Sequence, residues 1–253
     1  MEQKIKKGEL YLVTGGSGFL GFKLIEYILE CGGSVRVLAR NEGNLIKLAA
    51  KYPVEIFPGD MRETLKINTI GSMNIFNLSL TQDLDFVLCI STDKAAQVVG
   101  VYGATKMLME RLAKQYQDLN PSCAYRVVRY GNVLYSTGSV LCKWKDLIQK
   151  GREIIVTEKN ATRFFWTVDE AIETIKMCMK EATDSTPYCP SMKSIKIDDL
   201  LKAMVFKYGN GKIIPVKEIG LQAGENLHEK IFEQGPYSNE VENYSTEEIL
   251  ERI

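Results

Sequence analysis

A tyrosine and a lysine four positions apart, Tyr102-Gly103-Ala104-Thr105-Lys106, put a phenol and an ammonium on one face of a helix. A nearby cation favours the phenolate and draws its pKa down from about 10, toward a range useful to a general base. Just upstream, Ser91-Thr92-Asp93-Lys94 closes an apolar run and offers a hydroxyl, a carboxyl and an amine in succession. The spacing alone is weak, because Tyr208-Gly209-Asn210-Gly211-Lys212 repeats it; there, however, Gly-Asn-Gly reads as a turn that enforces no common face. Position favours the first pair, since strand ends along one edge of a parallel sheet are where ligands collect.

A second group of residues suits a different task. Thr14-Gly15-Gly16-Ser17-Gly18-Phe19-Leu20-Gly21 follows the first apolar run and opens the first helical stretch. Glycines there permit a sharp turn and let backbone N–H groups approach a pyrophosphate at the positive end of the helix. Lying between strand and helix, the triplet Gly15, Gly18 and Gly21 with Ser17, Phe19 and Leu20 predicts a dinucleotide site. The next strand ends Leu38-Ala39-Arg40-Asn41, with no carboxylate to accept from ribose hydroxyls. Arg40 can pair with a 2′-phosphate, which points to NADP. In Gly59-Asp60-Met61-Arg62, Asp60 stands where an adenine amino group could donate to it.

Elements must position these groups. Apolar runs at residues 10–14, 35–39, 54–57, 86–91 and 125–129 alternate with helical periodicity at 19–29 and 101–116. The alternation predicts an α/β fold, a doubly wound parallel sheet of the Rossmann type, over residues 1–135. The runs are nearly all apolar, as burial on both faces demands. Beyond them, helices near 140–150, 168–182 and 198–207 and short strands at 154–157 and 212–216 predict a smaller C-terminal substrate-binding lobe, residues 136–253, partly interleaved with the first. The acidic stretch 238–251 is expected to be only partly ordered.

Composition narrows the function. Lys plus Arg and Asp plus Glu each total 32, so no excess of positive charge is available for nucleic acid or an acidic membrane. The longest apolar stretches fall far short of the roughly 20 residues of a membrane span. With no signal-peptide pattern, the chain reads as cytoplasmic. Six cysteines without a Cys-x-x-Cys pair, and a single histidine, predict reduced thiols and no metal site. His228 reads as a packed or capping residue.

Gly-Gly-Ser-Gly-Phe-Leu-Gly, Gly-Asp-Met-Arg, Ser-Thr-Asp-Lys, Tyr-Gly-Ala-Thr-Lys, Val128-Arg129-Tyr130-Gly131-Asn132-Val133-Leu134 and Thr162-Arg163-Phe164 together resemble the inverting UDP-N-acetylglucosamine 4,6-dehydratases. The resemblance covers most of residues 9–235. Its most discriminating element is Ser-Thr-Asp-Lys, because ordinary sugar 4,6-dehydratases carry Glu at Lys94. It implies that Tyr102, assisted by Lys106, takes the proton of the sugar O4 while C4 is oxidised by NADP⁺, with Thr92 near O4. Lys94 would then remove the C5 proton and Asp93 protonate the departing C6 hydroxyl, so Asp93 must be protonated and Lys94 neutral in turn. Both pKa values are therefore expected to be perturbed. Asn132 and Arg163 are candidates for the sugar and its diphosphate. Glu225, in Gly224-Glu225-Asn226-Leu227-His228-Glu229, matches a family glutamate that holds the nucleotide. The family's Arg-Pro before that glycine is Gln222-Ala223 here, which leaves the nucleotide's identity open. Relatives often pair through helices like that at 101–116, implying a homo-oligomer.

One departure is large. Only seven residues separate Asp60 from Asn68-Thr69-Ile70-Gly71-Ser72-Met73-Asn74, which in relatives begins the helix after the fourth, central strand. About 30 to 40 residues, the size of a strand with its crossover, are missing between Glu63 and Thr64. Their omission from the sequence as written is favoured over true loss: an intact mass several kDa above 28.5 kDa is expected, and a mass near 28.5 kDa would mark a real deletion. Two alternatives stay open: a retaining dehydratase or an epimerase/reductase on the same Tyr102 and Lys106, and an NADP-binding regulator without turnover.

Overall fold

The computed structural model describes residues 5–39, 48, 51–58, 66–82, 84–136, 139–221 and 225–253. Strand β1 (Leu10–Thr14) leads through the glycine turn into α1 (Phe19–Glu30), and β2 (Ser34–Ala39) and β3 (Val54–Pro58) follow. The three strands form a parallel sheet in the order β1-β2-β3. Val13, Val35 and Val37 bury one face of it against Ile25 and Ile28 of α1.

After a π-helical turn (Lys66–Gly71) comes α2 (Ser72–Thr81), then β4 (Phe86–Ile90), a 3-10 turn (Asp93–Ala95), α3 (Val101–Leu119) and β5 (Ala124–Val128). β4 and β5 pair in parallel as a second sheet. The lobe is built from β6 (Asn132–Val133), α4 (Val140–Gln149), β7 (Ile154–Val156), β8 (Thr162–Arg163), β9 (Phe165–Trp166), α5 (Val168–Glu181), β10 (Pro187–Tyr188), β11 (Ile195–Lys196), α6 (Ile197–Tyr208), β12 (Val216–Glu218) and α7 (Thr246–Arg252). Of these, β10 returns to the sheet and pairs with β5. Of the others, α4, β7, β9, β11, α6, β12 and α7 surround a separate core of Trp144, Ile148, Ile154, Phe165, Ile195, Leu200, Met204 and Ile249.

The doubly wound order is interrupted. Among the described residues no strand pairs with the free edge of β1 or with that of β4. Helix α5 spans this interval: Ile172, Ile175 and Cys178 pack with Leu20 and Leu24 of α1 on one side and Val128 on the other. The expected burial of both faces fails at β1, where Leu10 and Leu12 are 52% and 51% exposed. The physical reason lies in the seven residues between Pro58 and Lys66, too few for a strand and its crossover helix. The position between Glu63 and Thr64 lies outside the described residues.

The acidic end departs from expectation in the other direction. Ser245 and Glu248 form a reciprocal capping box that starts α7. Ile249 and Ile253 are buried in the lobe core, and Arg252 forks onto Glu170 at 2.5 Å from each of its oxygens. Charge count misjudged a segment whose few apolar residues fall on one face.

Candidate active site

The site grows from the end of β4. Beyond Ile90, Thr92 is extended and caps the 3-10 turn, and its hydroxyl donates to Asp93 Oδ1 at 2.7 Å. That oxygen also accepts from the Lys94 backbone N–H at 2.8 Å and from Lys94 Nζ at 3.3 Å. The Asp93 side chain is fully buried, whereas that of Lys94 is 41% exposed, so the amine borders the solvent side of the site.

Helix α3 lies against this turn. A Cβ on Gly103 would stand 2.2 Å from the Lys94 carbonyl oxygen, so only glycine allows the approach. Tyr102 is consequently close enough for the charges of Lys94 and Asp93 to act on it. Asn68 of the π-helical turn donates to Thr105 Oγ1 at 3.1 Å, and Thr105 in turn donates to the Tyr102 carbonyl at 2.9 Å, pinning the first turn of α3. Gly103→Ala should therefore cost about 1–3 kcal/mol and move Tyr102 away from Asp93. Denaturant unfolding and turnover measured together check this; a variant normal in both would contradict the close packing.

The Tyr102–Lys106 pair differs from the sequence expectation. Lys106 Nζ donates to the Ile90 carbonyl at 2.8 Å, one helical turn beyond Tyr102, and burial lowers its pKa. Burial pushes the Tyr102 phenol up, with Lys94 pulling it down and Asp93 adding to the rise. Desolvation outweighs the nearby ammonium, which holds the phenol above its usual range. Lys94 also differs from the neutral amine its role demands: burial opposes its charge, but Asp93 and Glu229 hold its pKa above the ordinary value. The second Tyr-Lys match is separated as expected: Tyr208 donates to the Ile253 carbonyl at 2.8 Å and Lys212 to that of Gln149 at 3.1 Å.

Residues from the lobe complete the wall. Glu229 Oε1 lies 3.4 Å from both Lys94 Nζ and Arg163 Nε, and its side chain is only 7% exposed. Arg163 spends its other donors on the carbonyls of Thr162, Leu227 and Asn226 at 2.7–2.9 Å, fixing the 226–229 segment. Asn132 faces the Phe164 carbonyl at 3.3 Å. Glu225 is exposed. His228 Nδ1 meets Thr162 Oγ1 at 2.8 Å, a packing role.

Beneath the site lies an ion network. Arg129, with no solvent exposure, forks onto Glu110 at 2.8 and 2.6 Å and reaches Glu233 at 2.9 Å and the Ile231 carbonyl at 2.8 Å. Ser91 donates to the same Glu110 at 2.5 Å. The network ties β4, α3, β5 and the 231–233 segment together. Sequence reading quoted Arg129 and Glu229 without assigning them roles. A charge closing an apolar strand run was the available signal for Arg129.

Burial raises the Glu229 carboxyl to about 8, with Asp93 adding to the rise. A folded pKa above the unfolded one means the native chain holds a proton the unfolded chain has released. This contribution to stability is present below about 4.5 and is lost as pH rises through about 8. Unfolding midpoints in denaturant should fall between pH 5 and 8.5, and Glu229→Gln should flatten that slope; parallel slopes would contradict it.

The glycine turn expected to hold a dinucleotide precedes α1, whose N-terminus has no side-chain cap and no acidic residue in its first turn. A Cβ on Gly21 would meet the Gly15 carbonyl at 2.6 Å, so the turn and helix start are in direct contact. Open N–H groups and close backbone suit a pyrophosphate. Arg40, Asp60 and Gln222 lie outside the described residues. No group of metal-ligating side chains occurs among the described residues.

The fold is of the Rossmann type, as in solved structures to which the chain is similar. The chain belongs to the polysaccharide biosynthesis protein family, whose model matches residues 44–250. It is 31% identical to an uncharacterized membrane protein of Methanocaldococcus jannaschii, over 96% of this chain and 84% of that one. Among the described residues, no helix is long and apolar enough to cross a membrane. That alignment runs over 287 positions, more than the 253 of this chain, so the relative carries residues without counterpart here. The chain is 30% identical, over 79% of its length, to the inverting UDP-N-acetylglucosamine 4,6-dehydratase of Campylobacter jejuni, and covers 60% of that enzyme. In three dimensions it is similar to Pen from Bacillus thuringiensis, with a TM-score of 0.85, 23% identity and 96% of both chains covered. UDP-glucose 4-epimerase of Thermotoga maritima, solved with UDP-glucose, superposes with a TM-score of 0.70 at 18% identity over 96% of this chain and 97% of that one.

Proposed function

We propose that the chain is an enzyme that dehydrates a UDP-N-acetylhexosamine, UDP-N-acetylglucosamine in the first instance, at C4 to C6 with inversion at C5. The product is a 4-keto-6-deoxy-L-sugar for glycan synthesis. The observation that carries this reading is the meeting of Tyr102, Asp93 and Lys94 where β4 ends, in a chain similar to an enzyme of that activity.

Residues 15–21 hold a nicotinamide dinucleotide, which supplies reversible oxidation of the sugar. Arg40, and the absence of a carboxylate at the end of β2, favour NADP over NAD. The sheet side binds this dinucleotide and the lobe binds the sugar nucleotide through Asn132, Arg163 and Glu225. Tyr102 accepts the O4 proton as C4 becomes a ketone, with Thr92 hydrogen-bonding near O4. The ketone acidifies C5, whose proton passes to Lys94 after the amine has given its own proton to the adjacent Asp93 carboxyl. Asp93 gives its proton to the C6 hydroxyl, the C6–O bond breaks and water leaves. Return to C6 of the hydride lost from C4 and delivery of a solvent-derived proton to C5 from the opposite face finish the turnover, and Tyr102 releases the O4 proton to solvent. A cytoplasmic homo-oligomer is part of the proposal, supported by Val98, Val99, Val101 and Leu108, all exposed beside or along α3.

Incubation of the purified protein with the sugar nucleotide and NADP⁺ in D₂O, followed by mass and NMR, tests the reading. An L-configured ring with deuterium at C5 is expected. A D-configured product would reassign the chain to a retaining dehydratase or an epimerase and remove the role of Lys94. The unpaired edges of β1 and β4 favour a second reading, a dinucleotide-binding regulator, which NADP binding without water loss would support.

A further inference from the structure

Two buried carboxyl oxygens in the site, Asp93 Oδ2 and Glu229 Oε2, have no hydrogen-bond donor. The two carboxyls are nevertheless within hydrogen-bonding reach of each other. Bare carboxylates held so close repel, and each would leave an oxygen stripped of water without a partner. One proton between them satisfies both oxygens at once.

We infer that Asp93 and Glu229 hold a single proton between them at neutral pH, and that Glu229 is the positioning residue that keeps this proton beside Asp93. The consequence for chemistry rests on the proposed reaction; the shared proton does not.

The surrounding charges fit the pair. Lys94 Nζ lies 3.3 Å from Asp93 Oδ1 and 3.4 Å from Glu229 Oε1. Arg163 Nε is 3.4 Å from the same Glu229 oxygen, and Tyr102 and Cys189 face Asp93 from α3 and from beyond β10. Two cations against two carboxylates would balance, but the outward oxygens Oδ1 and Oε1 take those contacts. Oδ2 of Asp93 and Oε2 of Glu229, both buried, are left without a donor. In the proposed reaction Lys94 first passes its own proton to the pair, which then holds two, and the freed amine takes the C5 proton while Asp93 gives one to the departing hydroxyl. Protons balance within the cluster: after water leaves, Lys94 is again charged and the pair again holds one proton.

Infrared spectroscopy of the whole chain reads the proton directly. An ordinary carboxyl titrates near 4 and shows no acid band at pH 7. The wild-type chain should show a protonated-carboxyl C=O stretch at pH 7 that fades as pH passes about 8, and Glu229→Gln and Asp93→Asn should each abolish it. Absence of the band from the wild type, or its persistence in Glu229→Gln, overturns the inference. In turnover, Glu229→Gln should still reduce NADP⁺ with the sugar while water loss slows about 10²-fold. Water loss at the wild-type rate removes Glu229 from the reaction. A chain with the band that converts no sugar refutes the proposed reaction and leaves the shared proton standing.

Discussion

Arg129→Leu should destabilise the chain by about 3–5 kcal/mol, the usual cost of leaving one buried ion without its partner. Arg129 has no exposed surface, and its fork supplies two of the hydrogen bonds that hold Glu110, itself 6% exposed. Without it Glu110 keeps only Ser91 as donor and must bury a charge or take up a proton. Glu233, at 44% exposure, loses a contact of small value because water replaces it. Thermal unfolding should show a melting temperature lower by roughly 10 °C. Arg129→Lys should fall between, keeping charge but losing the fork. Replacing both partners, Arg129→Met with Glu110→Leu, should recover part of the loss, since the penalty comes from the stranded carboxylate. An Arg129→Leu chain as stable as wild type would show that the pair contributes nothing beyond its own desolvation cost.

Loss of the Tyr102 hydroxyl is expected to have the largest kinetic effect. In the proposed reaction Tyr102→Phe removes the proton acceptor for O4, and it should lower turnover by about 10²- to 10⁴-fold. Its side chain is 46% exposed, so stability should stay within about 0.5 kcal/mol of wild type. Dinucleotide affinity should be unchanged, because the pyrophosphate turn is elsewhere on the sheet edge. The raised pKa of the phenol gives the pH dependence its sign: the base form grows as pH rises, so kcat/KM should climb from pH 6 and stop rising at about 8, where the carboxyl pair loses its proton. Steady-state kinetics from pH 6 to 10, with calorimetric titration of NADP⁺, separate these effects. Turnover of Tyr102→Phe within a few-fold of wild type would assign the base elsewhere.

The two variants probe different layers of one arrangement. Ser91 links the buried ion network to Thr92, Asp93 and Lys94, so loosening Arg129 should disturb the acid pair as well as the fold. Gly103 is the second link, since the contact of α3 with the Lys94 carbonyl sets where Tyr102 stands.

Much of this was legible along the chain. Strands β1 and β3 to β5 fall within one or two residues of their apolar runs, and α3 begins at the residue from which periodicity placed it. Such features follow from backbone hydrogen bonding and side-chain period, which are local. The placement of Tyr102 and Lys106 on one helix belongs to the same class. What the two side chains do does not: Lys106 turns to the Ile90 carbonyl and leaves Lys94 as the cation that acts on the phenol. Glu229 is far along the sequence from Asp93, and no local pattern marks it off from the chain's other carboxylates. Its protonation depends on being stripped of water beside another acid, a condition created only when the lobe closes over the end of β4. The exposed face of β1 likewise became visible only in three dimensions, because an apolar run records what a strand can bury and the neighbouring elements decide what it does bury.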